Sequence, residues 1–296
     1  MQQTHDLPLL KFVIALLMFG SNGILAHYIS LDSFQIVLFR TFFGCITLLL
    51  LMKLCKHPFT FLQHKRSFIF LILSGVSIGI SWLFLYEAYQ QIGVNIASLI
   101  FYCGPVLVMA ASPLLFKEKL TRQKMICFMV VFAGIILINS RALQDQHTKS
   151  GLITSALSAF MFACMIAFNK KTSPITGMEN AAFQMTFAFL TVLIVVAFKQ
   201  GLSFYIPQGD FLPILALGVL NTGFGSYLYF SAISTINVQT VALVGYVEPL
   251  SAVIFSFLIL KEQLLPLQIL GALLITLGAI LSEIKKPIPF KLLPRS

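Results

Sequence analysis

Charge is scarce in this chain: only 10% of its 296 residues are Asp, Glu, Lys or Arg, and ten of those are acidic. So little charge cannot coat a water-soluble domain of this length. With 58% hydrophobic residues and a mean hydropathy of +0.93, the chain holds more apolar side chain than one soluble core could hide, so lipid is the expected solvent. The five cysteines (Cys45, Cys55, Cys103, Cys127 and Cys164) form no CxxC pair and no His spacing that suits a tetrahedral metal site. They read as small lipid-compatible residues, and neither a metal nor a cofactor is expected. No GxxxxGK[ST] loop occurs, which excludes ATP binding of that kind within the chain. An enzyme is not expected either, because no HExxH helix, in-span His pair or cluster of in-span acids is found. The net charge of +10 does not point to nucleic acid, since the basic residues lie in short loops and form no stripe interleaved with stacking aromatics.

What is present is a series of long apolar blocks. A helix rising about 1.5 Å per residue needs about 20 apolar residues to cross the hydrocarbon core. Blocks near that length run over roughly 11–30, 33–52, 68–90, 94–116, 124–140, 151–169, 178–198, 211–233, 237–260 and 266–283. The expected fold is therefore an all-α integral membrane protein of ten transmembrane helices. The first block has only Lys11 before it and no small-residue cleavage site after it, so it reads as a permanent helix and not a signal peptide. With ten spans, one side carries Lys11, Lys53, Lys56, Lys65, Arg66, Lys117, Lys119, Arg122, Lys124, Lys170, Lys171, Lys285, Lys286, Lys291 and Arg295. The other carries Arg141, Lys149, Lys199 and Lys261. This fifteen-to-four bias predicts a multi-pass protein of the cytoplasmic membrane with both termini inside.

The sequence also repeats itself. An offset of 144 positions aligns Gly79 with Gly223, Ala88 with Ala232, Tyr102 with Tyr246, Pro105 with Pro249 and Gly134 with Gly278. Without a gap it then pairs Lys117, Glu118 and Leu120 with Lys261, Glu262 and Leu264. Each copy holds five spans, an odd number, so the second enters the membrane from the opposite side. The expected domains are residues 1–140 and 141–296, two inverted-topology five-helix repeats, the second with a short cytoplasmic tail. Such halves can exchange inward-open and outward-open shapes about a site near the midplane.

The stretch from Ala97, ASLIFYCGPVLVMAASPLLFKEKLTRQK, and its partner from Val241, VALVGYVEPLSAVIFSFLILKEQLLPLQILGALLITLGAIL, resemble the paired EamA-type domains of the drug/metabolite transporter superfamily. The resemblance covers both halves. It implies ten helices, both termini inside, and proton- or exchange-linked movement of small metabolites, often export of amino acids. It does not fix the substrate.

Eight of the ten acids lie at span ends or in loops, which leaves only Glu87 and Glu248 within spans, and an intramembrane acid is a functional candidate by default. Glu248 lies near the middle of the ninth span and precedes Pro249, whose missing N–H and ring should bend the helix. Pro105 is its mate in the fourth span. The pair reads as a hinge lining a cavity, with Glu248 as proton carrier or cation partner; the alternative is a permanent bond from Glu248 to a Tyr or Asn neighbour. The Glu-Pro pair resembles the family pattern, although the first half has Gly104 in place of the glutamate. Glu87 and Arg40 lie at similar depths, and the expectation is either an ion pair between them or contact with a charged substrate. Trp82, Tyr86, Tyr102 and Tyr246 are candidates to contact substrate, and Asn22 is a further mid-span polar candidate. Tyr86 equally suits the interfacial aromatic belt.

The function expected is a secondary transporter that exports an amino acid or related small metabolite, with proton coupling through Glu248. The alternatives are an uptake carrier for a cationic or other small solute, a lipid flippase and an intramembrane enzyme. The partners expected are a small-molecule substrate and the bilayer, no nucleic acid, and a homodimer is compatible with the sequence.

Overall fold

The computed structural model describes residues 3–56, 59–117, 121–138, 149–201, 205–259, 261 and 265–283. Glu118, Lys119, Leu120, Arg141, Glu262, Leu264, the boundary at 140 and the tail after 283 lie outside the described residues. Among those described there are helices and turns and no strand. The helices are α1 (Gln3–Gly20), α2 (Asn22–His27), α3 (Ser33–Leu54), α4 (Lys65–Phe101), α5 (Gly104–Phe116), α6 (Arg122–Ile138) and α7 (Lys149–Asn169). There follow α8 (Gly177–Gln200), α9 (Phe211–Ala216), a π-helix (Leu217–Gly225), α10 (Ser226–Ile233), α11 (Val238–Val244), α12 (Val247–Ile259) and α13 (Pro266–Glu283).

Among the described residues, seven helical stretches are long and apolar enough to span a bilayer: Leu7–His27, Ser33–Leu54, Lys65–Ile92, Lys149–Asn169, Gly177–Gln200, Phe211–Ile233 and Val238–Ile259. The shorter apolar helices Leu107–Phe116 and Ile269–Gly278 accompany them. The fourth expected span differs because helix α4 runs on to Phe101, with no loop after residue 90, and then breaks at Tyr102–Cys103. That leaves α5 only 13 residues, about 20 Å at 1.5 Å per residue. The fifth, α6, has 17 residues.

Buried polar groups stitch α4 to its neighbours, where lipid offers no competing hydrogen bonds. Ser81 Oγ donates to the Ser158 carbonyl at 2.9 Å while Ser158 Oγ donates to the Ser81 carbonyl at 2.7 Å. Gln184 Nε2 donates to Ser74 Oγ at 2.8 Å, and α7 is tied to α8 in turn by Asn169 Nδ2 donating to Asn180 Oδ1 at 2.9 Å.

Helices α6 and α13 lie side by side with small residues at the crossing. A Cβ on Gly134 would stand 2.6 Å from the Gly271 carbonyl oxygen and 2.8 Å from Ile275 Cγ1. One on Gly278 would stand 2.5 Å from Val131 Cγ2 and 2.9 Å from the Cys127 carbonyl oxygen. As the number rises along α6 it falls along α13, so the two run antiparallel. The contacts are also reciprocal: Cys127, Val131 and Gly134 stand 144 positions before Gly271, Ile275 and Gly278.

Candidate functional site

Among the described residues, four irregular stretches of backbone interrupt the helices, and irregular backbone at membrane depth persists only inside protein or beside a water-filled cavity. The first is Ser21, between α1 and α2. Its hydroxyl donates to the Met18 carbonyl at 2.7 Å, and Asn221 Nδ2 reaches the same carbonyl at 2.8 Å, Ser21 Oγ at 2.9 Å and Asn22 Oδ1 at 2.9 Å. The second is the π-helix that carries Asn221. Its Gly218, Gly223 and Gly225 lower helix propensity, and Thr222 Oγ1 donates five residues back to the Leu217 carbonyl at 2.8 Å.

The third and fourth breaks are mates: Tyr102–Cys103 before α5, and Gly245–Tyr246 before α12. From the sequence, a bend is expected at Pro105 and Pro249. The helices instead stop short of each proline, which then occupies the first turn of a new helix, where its missing N–H removes no helical bond. The Gly245 carbonyl, which a residue at 249 with an N–H could have engaged, accepts the Glu248 N–H at 3.2 Å. Ser251 Oγ closes the next turn on the Glu248 carbonyl at 2.8 Å.

Glu248 thus stands in the first turn of α12, at the end of the helix where the partial positive charge favours an anion. Its side chain is half-buried. Among the described residues its carboxyl group has no hydrogen-bond or salt-bridge partner, while Arg40, Tyr89, Tyr102 and Tyr229 lie within electrostatic reach. Its mate Gly104 differs for a packing reason, because a Cβ there would stand 3.0 Å from both the Ala159 carbonyl oxygen and Phe162 Cδ1 on α7. One half closes this position against a neighbouring helix. The other fills it with a carboxylate.

Arg40, on α3, is only 6% exposed. Its Nε donates to Thr222 Oγ1 at 3.2 Å, and its guanidinium carbon lies 4.8 Å from the centre of the half-buried Trp82 ring on α4. The terminal nitrogens take no protein acceptor among the described residues. The Arg40–Glu87 pair anticipated from depth is absent: Glu87 pairs with Lys199 at the end of α8 and accepts Gln91 Nε2 at 3.0 Å. Rotation about the helix axes turns Arg40 inward, and Lys199 rises over the Phe34 ring at 4.1 Å to meet Glu87. Gln184, the repeat mate of Arg40, is buried within the hydrogen bonds of Ser74 and Asn169.

Tyr86 and Tyr89 stack obliquely with ring centres 5.1 Å apart, both half-buried, as is Tyr102. Tyr246 is different, with no exposed surface; its hydroxyl donates to the carbonyl of its own repeat mate, Tyr102, at 2.8 Å. It is therefore enclosed as a brace between the two breaks. Tyr246→Phe is expected to cost about 1 kcal/mol of stability with little change in substrate affinity. Thermal unfolding and a binding titration on the same sample separate the two effects, and a tenfold loss of affinity would return Tyr246 to the binding surface. Asn22 is half-buried and spends its side-chain oxygen on Asn221. Sequence reasoning missed Thr222 as the seat of Arg40 and Lys199 as the partner of Glu87. A threonine beside the mid-span Asn221 was the one available signal for the first.

Among the described residues no three His, Cys, Asp or Glu side chains group to hold a metal ion. The candidate site gathers an arginine, a carboxylate, and aromatic and amide groups where broken helices meet.

Apolar spans packed around a polar interior define a multi-pass membrane protein. Residues 7–140 and 149–283 each match the EamA-like transporter family, and the chain belongs to that family. It is 25% identical over 288 residues to the uncharacterized transporter YxxF of Bacillus subtilis (strain 168), covering 94% of this chain and 89% of that protein. It is 23% identical over 261 residues to the S-adenosylmethionine uptake transporter of Rickettsia felis, covering 85% and 83%. A solved crystal structure shares the fold with a TM-score of 0.79 at 14% identity, over 94% of this chain and 98% of that one.

Proposed function

We propose that this protein is a secondary active transporter of the cytoplasmic membrane that exports a small metabolite carrying both an ammonium and a carboxylate, an amino acid or a close relative, with protons coupled through Glu248. In this reading residues 1–140 and 141–296 are two inverted five-helix repeats, ten spans in all, with both termini in the cytoplasm. The reciprocal antiparallel contacts of α6 with α13 support the inversion, because mates related by an in-plane two-fold axis must cross antiparallel. The paired breaks before Pro105 and Pro249 supply the joints at which each half rocks.

The observation that carries the substrate class is the state of the two interior charges. Arg40 and Glu248 feel one another electrostatically, yet no salt bridge joins them. Taking a charge out of water without a partner is costly, so a buried Arg40 and a half-buried Glu248 held apart suit a ligand that completes both. An α-amino acid does so, its carboxylate on the terminal nitrogens of Arg40 and its ammonium on Glu248, with Trp82, Tyr86, Tyr89 and Tyr102 around the side chain. An amino acid and S-adenosylmethionine share those two groups. The relatives named as the Rickettsia felis uptake transporter and as a probable amino-acid metabolite efflux pump of Salmonella typhimurium, the latter 24% identical over 195 residues and covering 62% of this chain and 65% of that protein, agree with this class.

Counterflow in proteoliposomes tests the reading. Vesicles preloaded with an amino acid mixture are expected to accumulate labelled amino acid saturably. The methyl esters, which keep the ammonium and lose the carboxylate, are expected to compete about tenfold or more less well. Flux that never saturates would indicate a channel and overturn the carrier.

A further inference from the structure

At the carboxyl-terminal end of α3 lies a second concavity, far in character from the Arg40–Glu248 interior. It is a groove of about 450 Å³ lined by Leu49, Met52, Lys53, Lys56, Phe59 and Phe183. Its floor is apolar: Leu49 and Met52 come from the span Ser33–Leu54 and Phe183 from the span Gly177–Gln200. Its rim is basic. Lys53 and Lys56 are exposed and, among the described residues, have no carboxylate partner.

The wall formed by Phe59 is built and not loose. Glu179, 1% exposed in the first turn of α8, accepts the Thr60 N–H at 2.8 Å and the Phe61 N–H at 3.0 Å, and it also takes the Thr60 hydroxyl. A buried carboxylate thereby pins the connection after α3 from the side of α8. Ring contacts do the rest: Phe59 and Phe61 meet edge-on at 5.8 Å, and Phe61 meets Phe183 at 4.8 Å.

We infer that this groove is a binding site for an anionic phospholipid, with an acyl chain lying along Leu49, Met52, Phe59 and Phe183 and the headgroup phosphate held between Lys53 and Lys56. A span-derived apolar floor lies at hydrocarbon depth, and two free ammonium groups at its mouth lie at headgroup depth. That division matches an amphiphile of negative charge. Lysines beside anionic headgroups gain about fivefold in affinity each, so charge accounts for a preference of about 30-fold when both act. A soluble anion would not use the apolar floor. The inference does not depend on what the transporter carries.

The test uses the full chain, stripped of lipid in a neutral detergent and titrated with phosphatidylglycerol or phosphatidylcholine of identical acyl chains. Bound lipid is counted by native mass spectrometry, with the unfolding temperature followed in parallel. Phosphatidylglycerol is expected to bind about 30-fold more tightly, and Lys53→Gln with Lys56→Gln to abolish that preference. Lys117→Gln with Lys171→Gln removes the same charge elsewhere on the same face and is expected to leave it intact. Leu49→Trp, which fills the floor, is expected to weaken both lipids. Equal binding of the two lipids to the native protein would overturn the proposal, as would an equal loss in both lysine pairs or an equal shift from glycerol phosphate alone. A concentration-dependent dimer that Leu49→Trp disrupts would assign the groove to a second copy and overturn it too.

Discussion

Glu248→Gln is expected to abolish accumulation driven by a pH gradient and to weaken substrate binding about 10- to 150-fold, the range for losing a charge-assisted hydrogen bond. The glutamine is nearly isosteric, and the native carboxyl group makes no hydrogen bond to the protein among the described residues, so folding should lose little. Stability unchanged with transport lost is the signature of a group that serves the ligand and the proton. Proteoliposomes with an imposed pH gradient measure the first quantity, and counterflow at equal pH on both sides measures carriage without coupling. Native gradient-driven flux in the variant would sink the role of Glu248. A fall of many degrees in unfolding temperature, with normal flux per folded molecule, would make Glu248 a structural tie instead.

Membrane class, the positions of most spans and an interruption of the helix near each of Pro105 and Pro249 are legible in the sequence, because hydrophobic length and proline chemistry are local properties. Partnership is not. Arg40 and Glu87 share a depth, yet depth says nothing of which way each helix is turned, and lipid is as apolar as the protein interior, so periodicity barely marks the inward face. Hence Lys199, which reads as a loop lysine, is the true partner of Glu87, and Arg40 is free to face inward. Tyr102 and Tyr246 are indistinguishable in sequence, each three residues before its proline. Only burial separates the half-buried Tyr102 from the enclosed Tyr246, which braces the two breaks. The π-helix has no proline to announce it and follows from three glycines and the demands of Asn221 and Thr222 on neighbouring helices. The Gly104–Glu248 difference, in contrast, is visible by aligning the halves, and the structure supplies its reason in the close approach of α7.

Gly134→Val and Gly278→Val should each destabilise the protein by about 1–3 kcal/mol or more, the range for overpacking a well-filled interior. At both positions the nearest atoms include a backbone carbonyl oxygen, which cannot swing aside as a side-chain tip could. Relief would require α6 and α13 to separate along their whole crossing. Because the two glycines occupy equivalent places on one antiparallel interface, the single variants should cost similar amounts. The double variant should cost less than their sum, since separation forced by the first makes room for the second. Gly23→Val is the control: a Cβ there meets nothing within 4 Å, so it isolates the effect of valine on a short apolar helix. Thermal unfolding of the four variants in one detergent decides the matter. A Gly134→Val protein as stable as Gly23→Val would mean that the crossing is loose. A large cost at one glycine and none at the other would remove the equivalence of the two halves at this interface, and with it the geometric support for an inverted repeat that alternates about Glu248.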